Sequence, residues 1–445
     1  MHLINILLST LWVASTSLAS HIARSSAHLS QHAQRTVDPN SKVTPKVVII
    51  TMFPPESDSW LLETNKTGGI GSLFGLNVTV PGFSPIFPHA HCLADGSVCL
   101  ITTGEGEINA ASTMTALLFS PLFDLRKTYF LIAGIAGVNP HHGTLSDVAF
   151  AKFAVQVSLQ YEFDAREVPG HWSTGYVPLG SNHPDQYPGA SYGTEVFELS
   201  GGLRDWAWGI AKNVSLNDSS TSAVYRANYQ TGPQTSMVAA KYRQAIRKPS
   251  IIKGDVVTSD VYFSGTLLGE SVENTTKLFT NGSAVYTMTA QEDNATLETI
   301  LRAHLAKLAD FRRVILMRSA ADFDRPYPGI SCLENLFNST QGAFQPSLRN
   351  LYLAGSPVVQ GILKDWKRFE LGIEPGNYVG DIWGSLGGRP EFGPGVKGSD
   401  NPVQMRRGLD GGEGERDLEG VSGWLNPVGK GKVGAMRARR AVWGV

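Results

Sequence analysis

Runs of β-branched and aliphatic residues recur through the middle of this 445-residue chain, separated by segments with helical periodicity. Three of these runs, at residues 46–50, 128–133 and 313–317, are continuously apolar, which is typical of strands buried on both faces of a parallel sheet. Glycines and polar residues follow the second and third runs. Open α/β sheets bind ligands at the carboxyl ends of their strands, so we expect a site there.

Two segments between the runs predict helices. Residues 108–118 are rich in alanine, and leucine and isoleucine recur at helical spacing over 297–308, with Asp293 or Asn294 available as the N-cap. Strands that alternate with helices in this way predict an α/β fold with a mainly parallel sheet flanked by helices.

Composition narrows the functional class. Hydrophobic residues make up 42% of the chain and charged residues 17%, which is typical of a globular protein. The 38 basic and 39 acidic residues give a net charge of -1, so we expect no nucleic-acid partner.

Beyond the N-terminus no apolar run approaches the ~18 residues that span a bilayer, and the longest, 129–138, contains two glycines. We therefore expect no integral membrane span in the body of the chain.

The two ends differ from the body. Residues 1–19 have the apolar core and small residues of a signal peptide, although an N-terminal membrane anchor is the alternative interpretation. The polar stretch 20–45 predicts a flexible leader, 46–388 a folded domain, and 389–445 a disordered Gly-rich tail. The predicted location is the secretory pathway, ending outside the cell, at its surface or in the periplasmic space.

Sequons and cysteines fit that location. Cys92 and Cys99 flank a turn sequence and predict a hairpin disulfide, the alternative being two independent thiols, while we expect Cys332 to be buried. Eight Asn-x-Ser/Thr sequons predict a glycoprotein. They are Asn65, Asn77, Asn213, Asn217, Asn274, Asn281, Asn294 and Asn338.

A metal site is the less favoured interpretation of one further motif. His89 and His91 lie beside Cys92, but no second cluster with ligand spacing follows. We interpret the motif as a polar turn and expect neither a metal nor another cofactor.

A Gly-rich loop runs into the first predicted helix. Gly104 and Gly106 let a backbone approach a ligand closely, and the helix N-terminus offers free N–H groups; a tight turn without a ligand is the alternative. Glu105 and Glu107 make this loop unfavourable for phosphate, and no lysine of the P-loop type follows.

Acidic residues follow the last predicted strand. A carboxylate at Asp322 or Asp324 can protonate a leaving group, while a surface pair between Asp324 and Arg325, or a helix cap, is the alternative. Residues 291–294 offer polar groups for a polyol or form a capping box.

Aromatic residues at 260–265 can stack on a base or simply pack in the core.

In chain order, these segments resemble the nucleoside phosphorylase/nucleosidase superfamily and, more closely, the fungal purine nucleoside permease family. The resemblance covers about residues 45–393. The matching stretches are 47–60, 102–112, 130–140, 156–167, 192–198, 260–267, 291–297, 318–326 and 377–388.

The resemblance implies a single nucleoside phosphorylase-like domain with a mostly parallel mixed sheet. It implies that Asp322 handles the base, that Glu56 or Asp58 activates water, and that Glu292 and Asn294 hold the ribose. Asn294 replaces a glutamate of the superfamily. The remaining implied nucleoside-binding residues are Tyr262 or Phe263, which would stack on the base, and Gly104, Gly106, Gly134 and Gly137. Relatives in the superfamily form oligomers, so a homo-oligomer is implied as well.

The family name implies that the protein binds purine nucleosides such as adenosine, guanosine and inosine and takes part in their uptake. Without a spanning segment, the chain would capture nucleosides outside the membrane for a transporter. The alternative is a secreted nucleosidase, in which Asp322 would protonate the departing purine and Glu56 would activate water. Phosphorolysis is less favoured because Glu105 would repel phosphate, and Asn294 argues against efficient chemistry because it lacks a charge. A structural cell-wall role has least support, since no Ser/Thr-rich stalk is present.

Overall fold

The computed structural model describes residues 42–62, 69–230 and 240–393. The proposed signal peptide, leader residues 20–41, the sequon at Asn65 and the tail from 394 onward lie outside these ranges. The helices are α1 Pro54–Leu61, α2 Glu107–Leu118, α3 Gly201–Ala211, α4 Ser220–Ala227, α5 Thr266–Thr280, α6 Asp293–Leu305, α7 Phe344–Lys364 and α8 Trp366–Leu371. A 3-10 helix at Phe311–Arg313 and a π-helical turn at Glu334–Asn338 accompany them. The strands are β1 Val47–Thr51, β2 Leu76–Thr79, β3 His89–Cys92, β4 Val98–Thr102, β5 Tyr129–Val138, β6 Val148–Ala151, β7 Phe153–Gln156, β8 Gln160–Glu162, β9 Tyr176–Pro178, β10 Val196–Glu198, β11 Ile251–Lys253, β12 Asp255–Thr258, β13 Tyr286–Ala290, β14 Val314–Phe323 and β15 Gly380–Asp381.

Thirteen strands form one mixed sheet, and β8 pairs with β9 in a separate ribbon. Parallel ladders join β1 to β4 and β5, β5 to β14, β12 to β7 and β13, and β6 to β11. Antiparallel ladders join β2 to β3, β3 to β4, β13 to β5, β14 to β6, and β10 to β7 and β15. The predicted α/β fold with a mixed sheet and flanking helices is confirmed. Parallel pairing is concentrated at its centre, around β1, β5 and β14.

The three predicted strands are all present because their side chains are buried on both faces. In β1, Val48 and Ile50 belong to one core cluster, and Val47 and Ile49 belong to another on the opposite face. All four side chains are fully buried. Each contributes about 1.5–3 kcal/mol through removal of its apolar surface from water.

Helices cover both faces of this central sheet. Leu117 of α2 and Ile300 of α6 lie in the first cluster, whereas Trp60 of α1, Leu203 of α3 and Val358 of α7 lie in the second. The two predicted helices are therefore present and amphipathic. They place the N-termini of α2 and α6 near the carboxyl ends of the central strands.

The predicted N-cap of α6 was wrong. The helix begins at Asp293, its N-cap position is Glu292, and no side chain caps it. Asp293 is bound instead by the guanidinium of Arg318, and Asn294 accepts a 2.8 Å hydrogen bond from Thr258 Oγ1. Asp293 and Asn294 therefore bind residues that are distant in sequence instead of capping the helix.

The packed domain extends past both predicted boundaries. Val43 is buried, and its N–H donates to the carbonyl of Leu122 at 2.9 Å, so residues 42–45 are not a free leader. At the other end, Phe392 is buried against Phe153 and the Gly393 N–H donates to Phe279 O. Within the described ranges, no helix has the length and apolar character needed to cross a bilayer.

The Cys92–Cys99 disulfide is confirmed and joins paired positions of β3 and β4. Cys332, which we expected to be buried, is exposed, because it lies on the solvent-facing helical turn that leads directly into the π-helical turn. His91 Nδ1 lies 2.8 Å from Asn77 Oδ1. In the described part of the chain, no group of three or more His, Cys, Asp or Glu residues is arranged to hold a metal ion.

Candidate functional site

A cavity of about 660 Å³ opens at the carboxyl ends of the central strands. The last residues of β5, β13 and β14 converge on it with the segments that follow β1, β12 and β13, and residues 335–345, at the start of α7 and just before it, form a further wall. Its volume is in the range of small-molecule sites. Its position is the one expected for ligand binding in an open α/β sheet.

Glu56 reaches the cavity from the first turn of α1. Two prolines start this helix, and the side chain turns back so that its carboxyl oxygens accept 2.7 Å hydrogen bonds from the N–H groups of Met52 and Ile135. Burial raises the pKa of Glu56 to about 8, although the charge of Arg318 and the two N–H groups act in the opposite direction. Glu56 is therefore mainly protonated at neutral pH. Asp58, the alternative candidate, is not among the described lining residues.

Arg318 lies at the centre of a buried charge cluster. Its Nη2 forms ion pairs with Asp293 and, at 3.2 Å, with Glu292, and its Nη1 donates to the carbonyl of Ile135 at 3.1 Å. All three charged side chains are almost completely buried. The positive charge of Arg318 is therefore already balanced by protein carboxylates.

The predicted glycines shape this charge cluster. A Cβ at Gly134 would lie 2.3 Å from Arg318 Nη1 and 2.9 Å from Glu56 Oε1, so only glycine leaves room for both groups. The Gly106 N–H donates to Glu292 Oε1 at 2.9 Å from a backbone with φ +86°. Gly104, Gly106 and Gly134 lie outside the described cavity lining. Gly106 and Gly134 position charged side chains, whereas a Cβ at Gly104 would lie 3.0 Å from the uncharged side chain of Asn109. Gly137 is part of the lining itself.

Asp322 lines the cavity at the end of β14. The hydroxyl of Tyr262 donates to Asp322 Oδ2 at 2.5 Å, and a Cβ at Gly137 would lie 3.3 Å from Asp322 Oδ1. Burial raises the pKa of Asp322 to about 6; the Tyr262 hydrogen bond lowers it and the charge of Asp324 raises it. Asp322 can therefore exchange a proton near neutral pH.

The neighbouring Asp324 and Arg325 do not form a surface pair. Both side chains are fully buried, Arg325 Nε and Nη2 each donate to Asp324 at 2.8 Å, and the Tyr286 hydroxyl donates to Asp324 at 2.6 Å. This network fixes the backbone that follows Asp322.

Phe263 and Tyr262 lie differently, although both line the cavity. Phe263 is half-buried and packs against a third core cluster. The side chain of Tyr262 is exposed at the mouth, with 65% of its surface accessible, and its hydroxyl contacts Asp322.

The structure does not place Asn294 in the cavity. Its Nδ2 donates to Thr194 O at 2.8 Å, its Oδ1 accepts from Thr258, and it is not among the described lining residues. The expected ribose role therefore has no geometric basis, and this buried side chain connects α6 to β12 instead. Burial also leaves its sequon inaccessible in the folded protein. Glu292, the other expected ribose ligand, does line the cavity.

Carboxylates dominate the mouth. Glu105 lines the cavity, and burial together with the charge of Glu292 raises its pKa. Beside it, burial and the charge of Asp260 raise the pKa of Glu107 to about 7. An anionic ligand would meet repulsion here.

The model of a known family matches residues 44–374, and that family is described as "Purine nucleoside permease (NUP)". The chain belongs to the purine nucleoside permease family. A Candida albicans protein named purine nucleoside permease is 43% identical over 372 residues, which are 82% of this chain and 87% of that protein. A Schizosaccharomyces pombe protein named as a probable purine nucleoside permease is 39% identical over 330 residues, covering 72% of this chain and 90% of its own.

Two solved structures are more distant. A Neisseria meningitidis 5'-methylthioadenosine/S-adenosylhomocysteine nucleosidase in complex with methylthio-immucillin-A is 15% identical, with a TM-score of 0.39, covering 72% of this chain and 99% of its own. Futalosine hydrolase of Helicobacter pylori is 14% identical, with a TM-score of 0.40, covering 71% of this chain and 98% of its own.

Some lining residues of this permease-family chain were missed by sequence reasoning. Arg318 carried a signal, because a cation in the middle of the mainly apolar β14 predicts a buried ion pair. Phe53 lies within the matching stretch 47–60, but nothing in that stretch singled it out as a lining residue. The 335–345 wall, including Gln341 and Phe344, belongs to no matching stretch, and tertiary packing alone brings it to the cavity.

Proposed function

We propose that this protein binds purine nucleosides in the cavity and takes part in their uptake. The observation that carries the proposal is the convergence of Asp322, Glu292 and Phe263 on one cavity at the carboxyl ends of the strands. The names of the fungal relatives support the same substrate class.

Each of these groups has capacity to bind a nucleoside. Asp322 can donate to a purine ring nitrogen when protonated and accept from an N–H when ionised. Glu292 accepts one hydrogen bond from Gly106 and one from Arg318, which leaves lone pairs for ribose hydroxyls. Phe263 offers apolar surface for the base. These contacts suit a neutral ligand with a planar base and a diol.

Capture outside the membrane is the proposed route to uptake. The predicted signal peptide would place the protein in the secretory pathway, where the bound nucleoside would be released to a transporter. Capture followed by release to a transporter would produce the uptake that the family name implies.

Hydrolysis of the N-glycosidic bond is the second candidate, and the raised pKa values of Asp322 and Glu56 favour it. Protonated Asp322 would give its proton to purine N7 as the bond to C1′ breaks. Ionised Glu56 would take a proton from the water that attacks C1′, yielding free base and ribose. At pH 7 these raised pKa values leave Asp322 mainly ionised and Glu56 mainly protonated, the reverse of the states that hydrolysis needs.

Phosphorolysis has less support. Phosphate needs uncompensated cationic groups, but Arg318 is already paired with Asp293 and Glu292, and Glu105 adds negative charge.

Calorimetric titration of the full chain with adenosine, guanosine and inosine tests the proposal. We expect saturable binding that Asp322→Ala and Glu292→Gln weaken at least tenfold. Asp164→Asn serves as the control, because Asp164 lies outside the described lining and pairs with Arg166. Lack of binding by all three nucleosides would refute the proposal.

Chromatography of the same mixtures, with and without phosphate, tests turnover. Free base released without phosphate, and lost in Asp322→Asn, would establish the hydrolase. Base released only with phosphate would contradict the electrostatic argument from Glu105.

A further inference from the structure

Tyr262 makes a contact that a base-stacking residue would not need. Its hydroxyl donates to Asp322 Oδ2 at 2.5 Å, although the two residues come from different elements, one before α5 and one at the end of β14. Tyr262 therefore holds the acid that the proposed function assigns to the purine.

The segment that carries Tyr262 is fixed at both ends and exposed between them. The Ser259 N–H donates to Ala290 O at 3.0 Å, and the Gly265 N–H donates to Asp324 O at 2.9 Å. Val261 and Tyr262 each expose 65% of their surface, without packing in a described core cluster. Rotation of the Tyr262 side chain can therefore release Asp322 while the backbone stays in place.

We propose that Tyr262 is a latch on the cavity, whose hydroxyl holds Asp322 in the ionised, unliganded state and must move away before a purine ring nitrogen takes its place. The latch rests on the proposed function, because it names the step that precedes nucleoside binding. Phe263, half-buried in the cavity wall, remains the aromatic surface for the base. Tyr262 is thus a positioning residue that acts through Asp322.

The electrostatics around Asp322 agree with a latch. Tyr262 faces it from the β12–α5 segment, Asp324 from its own strand, and Tyr225 from α4, where the charge of Asp322 contributes to a raised Tyr225 pKa. Of these groups, Tyr262 stabilises the ionised form and Asp324 opposes it. Removing the Tyr262 hydroxyl leaves burial and Asp324 unopposed, so the pKa of Asp322 must rise.

Tyr262→Phe removes the hydroxyl and keeps the ring. It therefore tests the hydrogen bond to Asp322 without removing an aromatic surface that could stack on a base. In the full chain without ligand, we expect the Asp322 pKa to rise by about one unit, a tenfold change in its protonation constant. Carboxyl ¹³C NMR against pH measures this, with the Asp322 signal assigned by its loss in Asp322→Asn. Tyr176→Phe is the matched control, since Tyr176 donates to Glu162 at 3.2 Å on the separate ribbon.

Nucleoside binding gives the second readout. We expect Tyr262→Phe to bind inosine about five- to tenfold more tightly at pH 7.5 and the advantage to disappear near pH 5, where Asp322 is protonated in both proteins. Tyr176→Phe should match the parent at both pH values. An unchanged Asp322 pKa in Tyr262→Phe, or weaker inosine binding by it, overturns the latch. A raised pKa with no purine nucleoside bound by any variant overturns the proposed function, and with it the ligand exchange, while leaving the Tyr262–Asp322 contact established.

Discussion

Replacing Arg318 with methionine removes the cation that two buried carboxylates share. Asp293 and Glu292 would stay buried without a counter-charge, because α6 holds both at its first turn. Breaking a buried ion pair by removing one partner costs about 3–5 kcal/mol. We expect Arg318→Met to lower the free energy of unfolding by that amount at pH 7.

The cost should depend on pH in a defined direction. Burial raises the folded-state pKa of Asp293, and Arg318 lowers it, so the variant raises it further. A carboxyl whose folded pKa lies above its unfolded value destabilises the fold above the unfolded pKa, near 4. The deficit should therefore shrink as the pH falls from 7 toward 5, by up to about 1.4 kcal/mol per pH unit for one carboxyl.

Urea unfolding followed by tryptophan fluorescence measures both effects as a lower midpoint at unchanged slope. Arg312→Met is the matched control. Arg312 is 58% exposed and pairs with Asp310 at the surface, so its loss should cost less than about 1 kcal/mol. Equal costs for the two variants, or a deficit that does not shrink at lower pH, would refute the role assigned to Arg318.

Three further predictions follow from the same geometry. Gly134→Ala forces a Cβ against the Arg318 guanidinium and should lower the free energy of unfolding in urea by about 1–3 kcal/mol. An unfolding free energy equal to that of the parent protein would contradict this. Replacing both cysteines of the Cys92–Cys99 pair with serine should cost about 2–3 kcal/mol, because the seven-residue separation closes a short loop; a midpoint insensitive to reduction would contradict this. If the protein hydrolyses nucleosides, kcat/KM should form a broad bell centred near pH 7. It should fall about tenfold per pH unit below about pH 6, as Glu56 becomes protonated, and above about pH 8, as Asp322 becomes ionised; a profile that stays flat from pH 5 to 9 would exclude both groups.

The sequence predicted those features that depend on local pattern. The apolar runs at β1, β5 and β14 required burial on both faces, and a turn between Cys92 and Cys99 required paired strands. The ordered motifs also led to the family, which the fungal relatives confirm.

The residues of the site were harder to predict than the strands, because they depend on the direction of side chains, which no single segment specifies. The resemblance predicted that Asn294 would bind ribose, yet the carbonyl of Thr194, a hundred residues earlier, accepts a hydrogen bond from its amide. The resemblance predicted that Tyr262 or Phe263 would stack on the base, yet the Tyr262 hydroxyl donates a hydrogen bond to Asp322. The 335–345 wall lacks a motif because any residues of suitable size can close a cavity side.

The backbone of Ile135 belongs to the middle of the sheet and also to the charge cluster, since its N–H binds Glu56 and its carbonyl binds Arg318. Assembly of the sheet and of the charge cluster is therefore one cooperative event. Evolution has little freedom to vary this part of the site, because a substitution that perturbs the cluster also threatens the fold. Divergence in ligand preference among related proteins should accordingly accumulate at exposed lining positions of the 259–265 segment and the 335–345 wall, such as Val261 and Thr340, where new side chains can be introduced without unfolding the protein.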